Sequence, residues 1–179
     1  MDPFLVVFII SLLVASAVKD IRFNKIPNLF TYPCMAVALI YHSVVHGFDG
    51  LLFSAGGLAL GIGFFIVPYL MGGMGAGDAK LMGAVGAILG PRGVFIASLL
   101  TALAGGVYAL IILLANRDYT KGFIRRHATT LKTFLWTRQF IPIPAPKDEK
   151  QPKLRYGVAI ALGTSFYMFL ELSGYTWII

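Results

Sequence analysis

The chain has 179 residues, of which 58% are hydrophobic and only 13% charged, and its mean hydropathy is +0.79. Soluble domains carry about 25% charged residues, so this balance excludes an ordinary soluble protein; it predicts an all-α, polytopic transmembrane bundle of about six helices, with residues 1–179 forming a single membrane-embedded domain. The net charge of +7 does not make a nucleic-acid binder of it, because no stacking platform or binding motif accompanies the basic residues, and the single cysteine, Cys34, excludes an internal disulfide and a Cys-x-x-Cys zinc site.

In chain order, Phe4 to Val18 is a continuous apolar run that ends in Lys19-Asp20-Ile-Arg22-Phe-Asn-Lys25. A signal peptide has its basic residues before the run, whereas here they follow it, so the run reads as a retained first transmembrane helix. Ile26-Pro27-Asn28 introduces a second helix from about Leu29 to Val45, since Pro suits a helix start. Gly47-Phe-Asp49-Gly50 reads as a short turn, and a third helix follows from Leu51 to about Leu70. This helix carries Gly56, Gly57, Gly61 and Gly63, small residues that let membrane helices approach closely.

The stretch Met71-Gly-Gly-Met-Gly-Ala-Gly-Asp-Ala-Lys-Leu-Met-Gly83 then sets a carboxylate and an ammonium among glycines between two apolar runs. A charge near hydrocarbon costs on the order of 2.5 to 3.5 kcal/mol by insertion scales, which makes Asp78 a functional candidate. Gly75 and Gly77 lack Cβ atoms and would let an extended peptide approach that carboxylate. The structural alternative is a Gly-rich turn whose Asp caps the next helix. A short fourth apolar stretch, Leu81 to Leu89, stops at Gly90-Pro91-Arg92-Gly93, and Gly83, Gly86 and Gly90 are spaced to share one face. A fifth helix covers Val94 to Ala115, a polar segment Asn116 to Arg155, and a last helix about Tyr156 to Leu172.

Of the fifteen Lys and Arg residues, Lys19, Arg22, Lys25, Lys80 and the ten in Asn116 to Arg155 fall in alternate connections, and Arg92 alone lies on the other side. The positive-inside rule therefore predicts a multi-pass protein of the cytoplasmic membrane, with Asp20, Asp78 and the loop at about 116–155 facing the cytoplasm and both termini outside. Tyr119, Phe123, Ile124, Ala128, Leu131, Phe134, Leu135 and Trp136 recur at near-helical spacing among basic residues. This predicts an amphipathic helix at about 119–138 lying on anionic lipid headgroups, the alternative being a wholly disordered loop. Pro142, Pro144, Pro146 and Pro152 space an extended connection back to the membrane.

Asp20 and Asp78 thus stand on one membrane face. Paired carboxylates sharing one proton can act together, one as general base on a water and the other polarising a scissile carbonyl. No Ser/His/Asp set, His-Glu-x-x-His or phosphate loop competes. His42 and His46 are four apart on the second helix with Asp49 nearby, too few ligands for an expected metal site. Glu171 reads as a structural residue near the outer end of the last helix. The competing class is a small transporter or proton- or cation-binding membrane protein using the same two aspartates, which would call for charges at mid-bilayer and an internal repeat.

The segments Asp20-Ile-Arg-Phe-Asn-Lys-Ile-Pro-Asn28 and Gly72-Gly-Met-Gly-Ala-Gly-Asp-Ala-Lys-Leu-Met-Gly83 resemble the paired signatures of the type IV prepilin peptidases, the Gly-x-Gly-Asp membrane aspartic proteases. Tyr156-Gly-Val-Ala-Ile-Ala-Leu-Gly163 resembles that family's final helix. The resemblance implies an aspartic endopeptidase that removes the short basic leader from prepilin or pseudopilin precursors at the cytoplasmic membrane surface, with Asp20 and Asp78 catalytic and no cofactor. Gly75, Gly77 and Lys80 are the expected substrate-binding residues, Lys80 either tuning the dyad, meeting an acidic substrate side chain, or serving topology alone. Many members also methylate the new N-terminus through an N-terminal region with Cys-x-x-Cys pairs. The sequence lacks it and resembles the short, peptidase-only form associated with tight-adherence pili, so methyltransferase activity is not expected.

Overall fold

A computed structural model describes residues 2–138 and 155–174. Their regular structure is helical: α1 (Pro3–Phe23), α2 (Asn28–Leu70), α3 (Ala76–Ala115), α4 (Arg117–Thr137) and α5 (Tyr156–Leu172). Two of these are broken. Gly47 in α2 adopts φ 61°, ψ −141° and Gly90 in α3 φ 73°, ψ −178°, conformations open to a residue without Cβ, so each long helix is two segments joined at one glycine. Six apolar helical segments and the basic α4 result among the described residues, the all-α membrane bundle the composition implies. The turn expected at 47–50 is tighter than its composition indicated: only Gly47 leaves the helix, while Asp49 and Gly50 already belong to the next segment.

Helices α1, α2 and α3 are each long and apolar enough to cross a membrane, and α5 is a shorter apolar helix. Their outward positions are apolar too, with Val7, Val14, Val44, Val67, Leu103 and Phe169 exposed; this suits hydrocarbon and would not suit water. The described residues divide into two compact units, one within Met1–Gly106 and Arg155–Ile179, the other within Val107–Leu154.

The first unit is built around residues 76–90. From Asp78 to Gly90 every residue except Lys80 is buried, which explains a segment that is apolar on all sides. The short fourth stretch is therefore the central helix of the unit. Backbone approaches replace bulky side chains there. A Cβ built on Gly57 would stand 2.0 Å from the Gly86 carbonyl oxygen, and one on Gly86 2.1 Å from that of Gly57. Of the face read from Gly83, Gly86 and Gly90, the first two form a helix crossing with Gly57 and Gly61 on the facing segment of α2, while Gly90 is the break that ends the segment and a Cβ there would meet the Phe53 ring. Helix α5 packs along α1 and meets α3 through Gly163 at Thr101 and through Gly105 at Tyr156.

In the second unit, α4 covers the residues where the sequence predicted an amphipathic helix; Ile124 and Trp136 are exposed along with Lys121, Arg125 and Lys132. The prolines at 142, 144, 146 and 152 lie outside the described residues.

Candidate active site

Asp20 belongs to the last turn of α1, which runs five residues past the apolar stretch ending at Val18. Asn24 closes the helix in the left-handed conformation (φ 49°, ψ 35°), its N–H donating to the Asp20 carbonyl. The chain then extends through Lys25 to Pro27 and enters α2 at Asn28, so the Pro-Asn pair marks that helix start as the sequence indicated. The Asp20 side chain is only 6% exposed. Its carboxylate reaches the N-terminus of α5, where the Gly157 N–H donates to Oδ2 at 3.0 Å and the Val158 N–H also interacts. These are donors that the first turn of a helix leaves free, and an anion there faces the positive end of the helix dipole. The charge of Arg155, at the N-cap of α5, acts on Asp20 as well.

Asp78 arrives from the other side of the sequence. Helix α2 ends at Leu70, Gly72 takes φ 74°, and the Gly73 N–H returns to the Pro68 carbonyl. The chain re-enters a helix at Ala76, and Asp78 is its third residue. The Gly75 N–H donates to Asp78 Oδ2 at 2.9 Å while the Asp78 N–H donates to the Gly75 carbonyl at 3.1 Å. The first bond is the N3-to-N-cap half of a capping box; the second is a backbone i→i+3 bond, since Gly75 has no side chain to supply the other half. Asp78 therefore does cap its helix, but from the third position and not from the N-cap, and it is 8% exposed. Capping and chemistry are compatible, because the cap bond fixes the carboxylate's direction.

The two carboxylates line one cleft of about 220 Å³, together with Asn24, Lys25 and Ile26 from the α1–α2 connection and Gly75, Ala76 and Gly77 from the Gly-rich turn. They are near enough for the charge of Asp20 to act on Asp78. Four of the five residues singled out as site candidates thus meet here: Asp20, Asp78, Gly75 and Gly77. Lys80 does not line the cleft. Its ammonium donates to Asn28 Oδ1 at 3.0 Å and lies 5.0 Å from the centre of the Tyr32 ring. Gly77 is also occupied, since a Cβ there would stand 3.1 Å from Ile26 Cβ.

Gly157 was not among the candidates. A Cβ at this position would lie 2.9, 3.0 and 3.1 Å from Asp20 Oδ2, Cβ and Cγ, so only glycine lets the carboxylate reach the backbone N–H. The signal available in the sequence was a glycine in the first turn of the last helix, within Tyr156-Gly-Val158.

Elsewhere in this unit, His42 Nε2 meets the Ile88 carbonyl at 3.1 Å and its ring stacks with His46 at 6.2 Å. Tyr167 bonds the Glu171 carboxylate, in keeping with a structural role for that residue.

Residues 7–110 match the pattern of the type IV leader peptidase family. A 121-residue stretch, 65% of the chain, is 35% identical to the prepilin leader peptidase/N-methyltransferase of Bacillus subtilis (strain 168). The chain covers 48% of that relative, about half its length. No solved structure matches the chain. With more than half of its residues inside the family pattern, including the segments that carry both cleft carboxylates, the chain is an integral membrane protein that belongs to the type IV leader peptidase family.

Proposed function

We propose that this protein is a membrane aspartic endopeptidase that removes the short basic leader from type IV pilin-like precursors. The observation that carries the reading is the convergence of Asp20 and Asp78, 58 residues apart in sequence, as two buried carboxylates on one cleft at the ends of their helices. A structural carboxylate needs only its own cap or partner, and two like charges facing one cleft are costly unless a proton is shared. Aspartic proteolysis uses that arrangement.

In the proposed reaction the ionised carboxylate takes a proton from a water, whose oxygen attacks the scissile carbonyl carbon. The protonated carboxylate gives its proton to the carbonyl oxygen. Collapse of the tetrahedral intermediate breaks the C–N bond as the amine nitrogen takes the proton gained from water and a hydroxyl of the intermediate returns its proton to the other carboxylate, so the dyad again holds one shared proton. The backbone donors at Gly157 and Gly75 hold the two carboxylates in direction throughout.

The positive-inside distribution supports a cytoplasmic position for the cleft, and a precursor with a charged leader and an apolar helix would bring its scissile bond to that interface. The precursors are the proposed partners, and anionic headgroups under α4 the proposed lipid contact. Co-expression with candidate precursors tests the reading: a leader-length mobility shift is expected with the wild-type chain and none with Asp20→Asn or Asp78→Asn. Cleavage by either single variant at more than about a tenth of the wild-type rate would reject the dyad.

A further inference from the structure

A lysine that serves only the positive-inside rule has no reason to bind protein; its ammonium would extend to water or headgroups. Lys80 instead folds back across the bundle end. It donates to Asn28 Oδ1 at 3.0 Å and sits 5.0 Å from the Tyr32 ring centre, both partners lying one turn apart on the first turns of α2. Lys80 is two residues beyond Asp78, and Asn28 follows Asp20 by eight residues, four of which form the connection 24–27. That connection has little slack, with Asn24 fixed left-handed and Pro27 fixed by its ring.

A second attachment lies one residue before Asp78. The Cα of Gly77 is pressed against Ile26 so closely that a Cβ would stand 3.1 Å from Ile26 Cβ and 3.3 Å from its carbonyl oxygen. The turn bearing Asp78 is thus fastened to the connection after Asp20 at residue 77 and again at residue 80.

Resting on the proposed peptidase reading, we infer that Lys80, through Asn28 and Tyr32, is a positioning residue that locks the register between the two segments carrying Asp20 and Asp78. It acts by joining α3 to α2 and not by touching substrate or either carboxylate. The charge-assisted hydrogen bond and the cation–π contact are each modest at an exposed site, but both use one cation and fix it from two directions.

The test pairs kinetics with a readout that needs no activity. In the intact membrane protein, Lys80→Met and Asn28→Ala should each lower kcat roughly tenfold with KM little changed, because misregistered carboxylates lose rate before binding. The double variant should be no slower than the slower single. Lys80→Arg should recover most of the rate, since a guanidinium reaches an amide oxygen and stacks on an aromatic ring. Additive losses, a raised KM with kcat kept, or a shifted alkaline limb of the pH profile in Lys80→Met would each overturn the clamp. In a Cys34→Ser background, a short bis-methanethiosulfonate, which forms a disulfide with each thiol by displacing methanesulfinate, should bridge Lys25→Cys and Ala76→Cys across the cleft, and adding Lys80→Met should cut the yield severalfold while Lys80→Arg preserves it. An unchanged yield in Lys80→Met overturns the clamp whatever the activity. A fallen yield in a protein that cleaves no precursor upholds the clamp and rejects the peptidase reading instead.

Discussion

Replacing Gly157 by Ala separates the needs of the fold from those of the site. Gly157 is the second residue of α5, where Ala is the better helix former by up to about 1 kcal/mol, so the helix itself gains. The new Cβ would stand 2.9 Å from Asp20 Oδ2, and that atom can swing away. It would also stand 3.0 Å from Asp20 Cβ, which cannot move without α1. Restoring an ordinary 3.4 Å contact requires about 0.4 Å of separation between α1 and the start of α5, and the bond from the Gly157 N–H to Oδ2, now 3.0 Å, stretches with it. A bond to an ionised acceptor contributes about 1.5 to 3 kcal/mol, and a misplacement near 1 Å costs up to about a hundredfold in rate. The expected loss in kcat/KM is therefore roughly tenfold to thirtyfold, with thermal unfolding in detergent unchanged or slightly raised. The assay is single-turnover cleavage of a precursor by purified variant and wild type beside a thermal scan. Activity within twofold of wild type in a well-folded Gly157→Ala protein would refute the placement of Asp20 on the α5 terminus.

Gly57→Ala sets a methyl 2.0 Å from the backbone oxygen of Gly86, which cannot rotate aside, so the crossing must open and the protein should lose about 1 to 3 kcal/mol, read as a lower unfolding temperature and lower abundance. The proposed shared proton makes activity bell-shaped in pH around neutrality: a second proton silences the base on the acid side, and loss of the shared proton removes the acid on the alkaline side. A rate profile that peaks at strongly acidic pH would contradict it. A reporter fused after Asn116 should behave as cytoplasmic and one inserted at Asp49 as external; the reverse result would invert the proposed orientation.

Both aspartates were legible because a charged residue beside an apolar run is costly, and the six apolar segments were legible from composition and glycine punctuation. The short stretch Leu81 to Leu89 was legible as an element, but its place at the buried centre of the unit was not drawn from it; uniform apolarity on every face was the clue. Gly157 was not legible, since its requirement is set by a carboxylate 137 positions away, and a glycine in the first turn of a helix does not by itself mark such an approach. Gly77 was read as an opening for substrate; it lines the cleft, and its lack of a Cβ also admits a close approach to Ile26 that spacing did not announce. Lys80 satisfies a topology rule so simply that its bond to Asn28, 52 residues distant, leaves no trace in spacing.

Whether Asp20 and Asp78 form a catalytic pair is decided by precursor cleavage with the two single variants and their double. Asp20→Asn and Asp78→Asn, inserted and as abundant as wild type, should each reduce precursor cleavage to background, and the double variant should be no worse, because the pair works as a unit. Substantial processing by either single variant would contradict a catalytic dyad and favour a binding or transport role for the same two carboxylates.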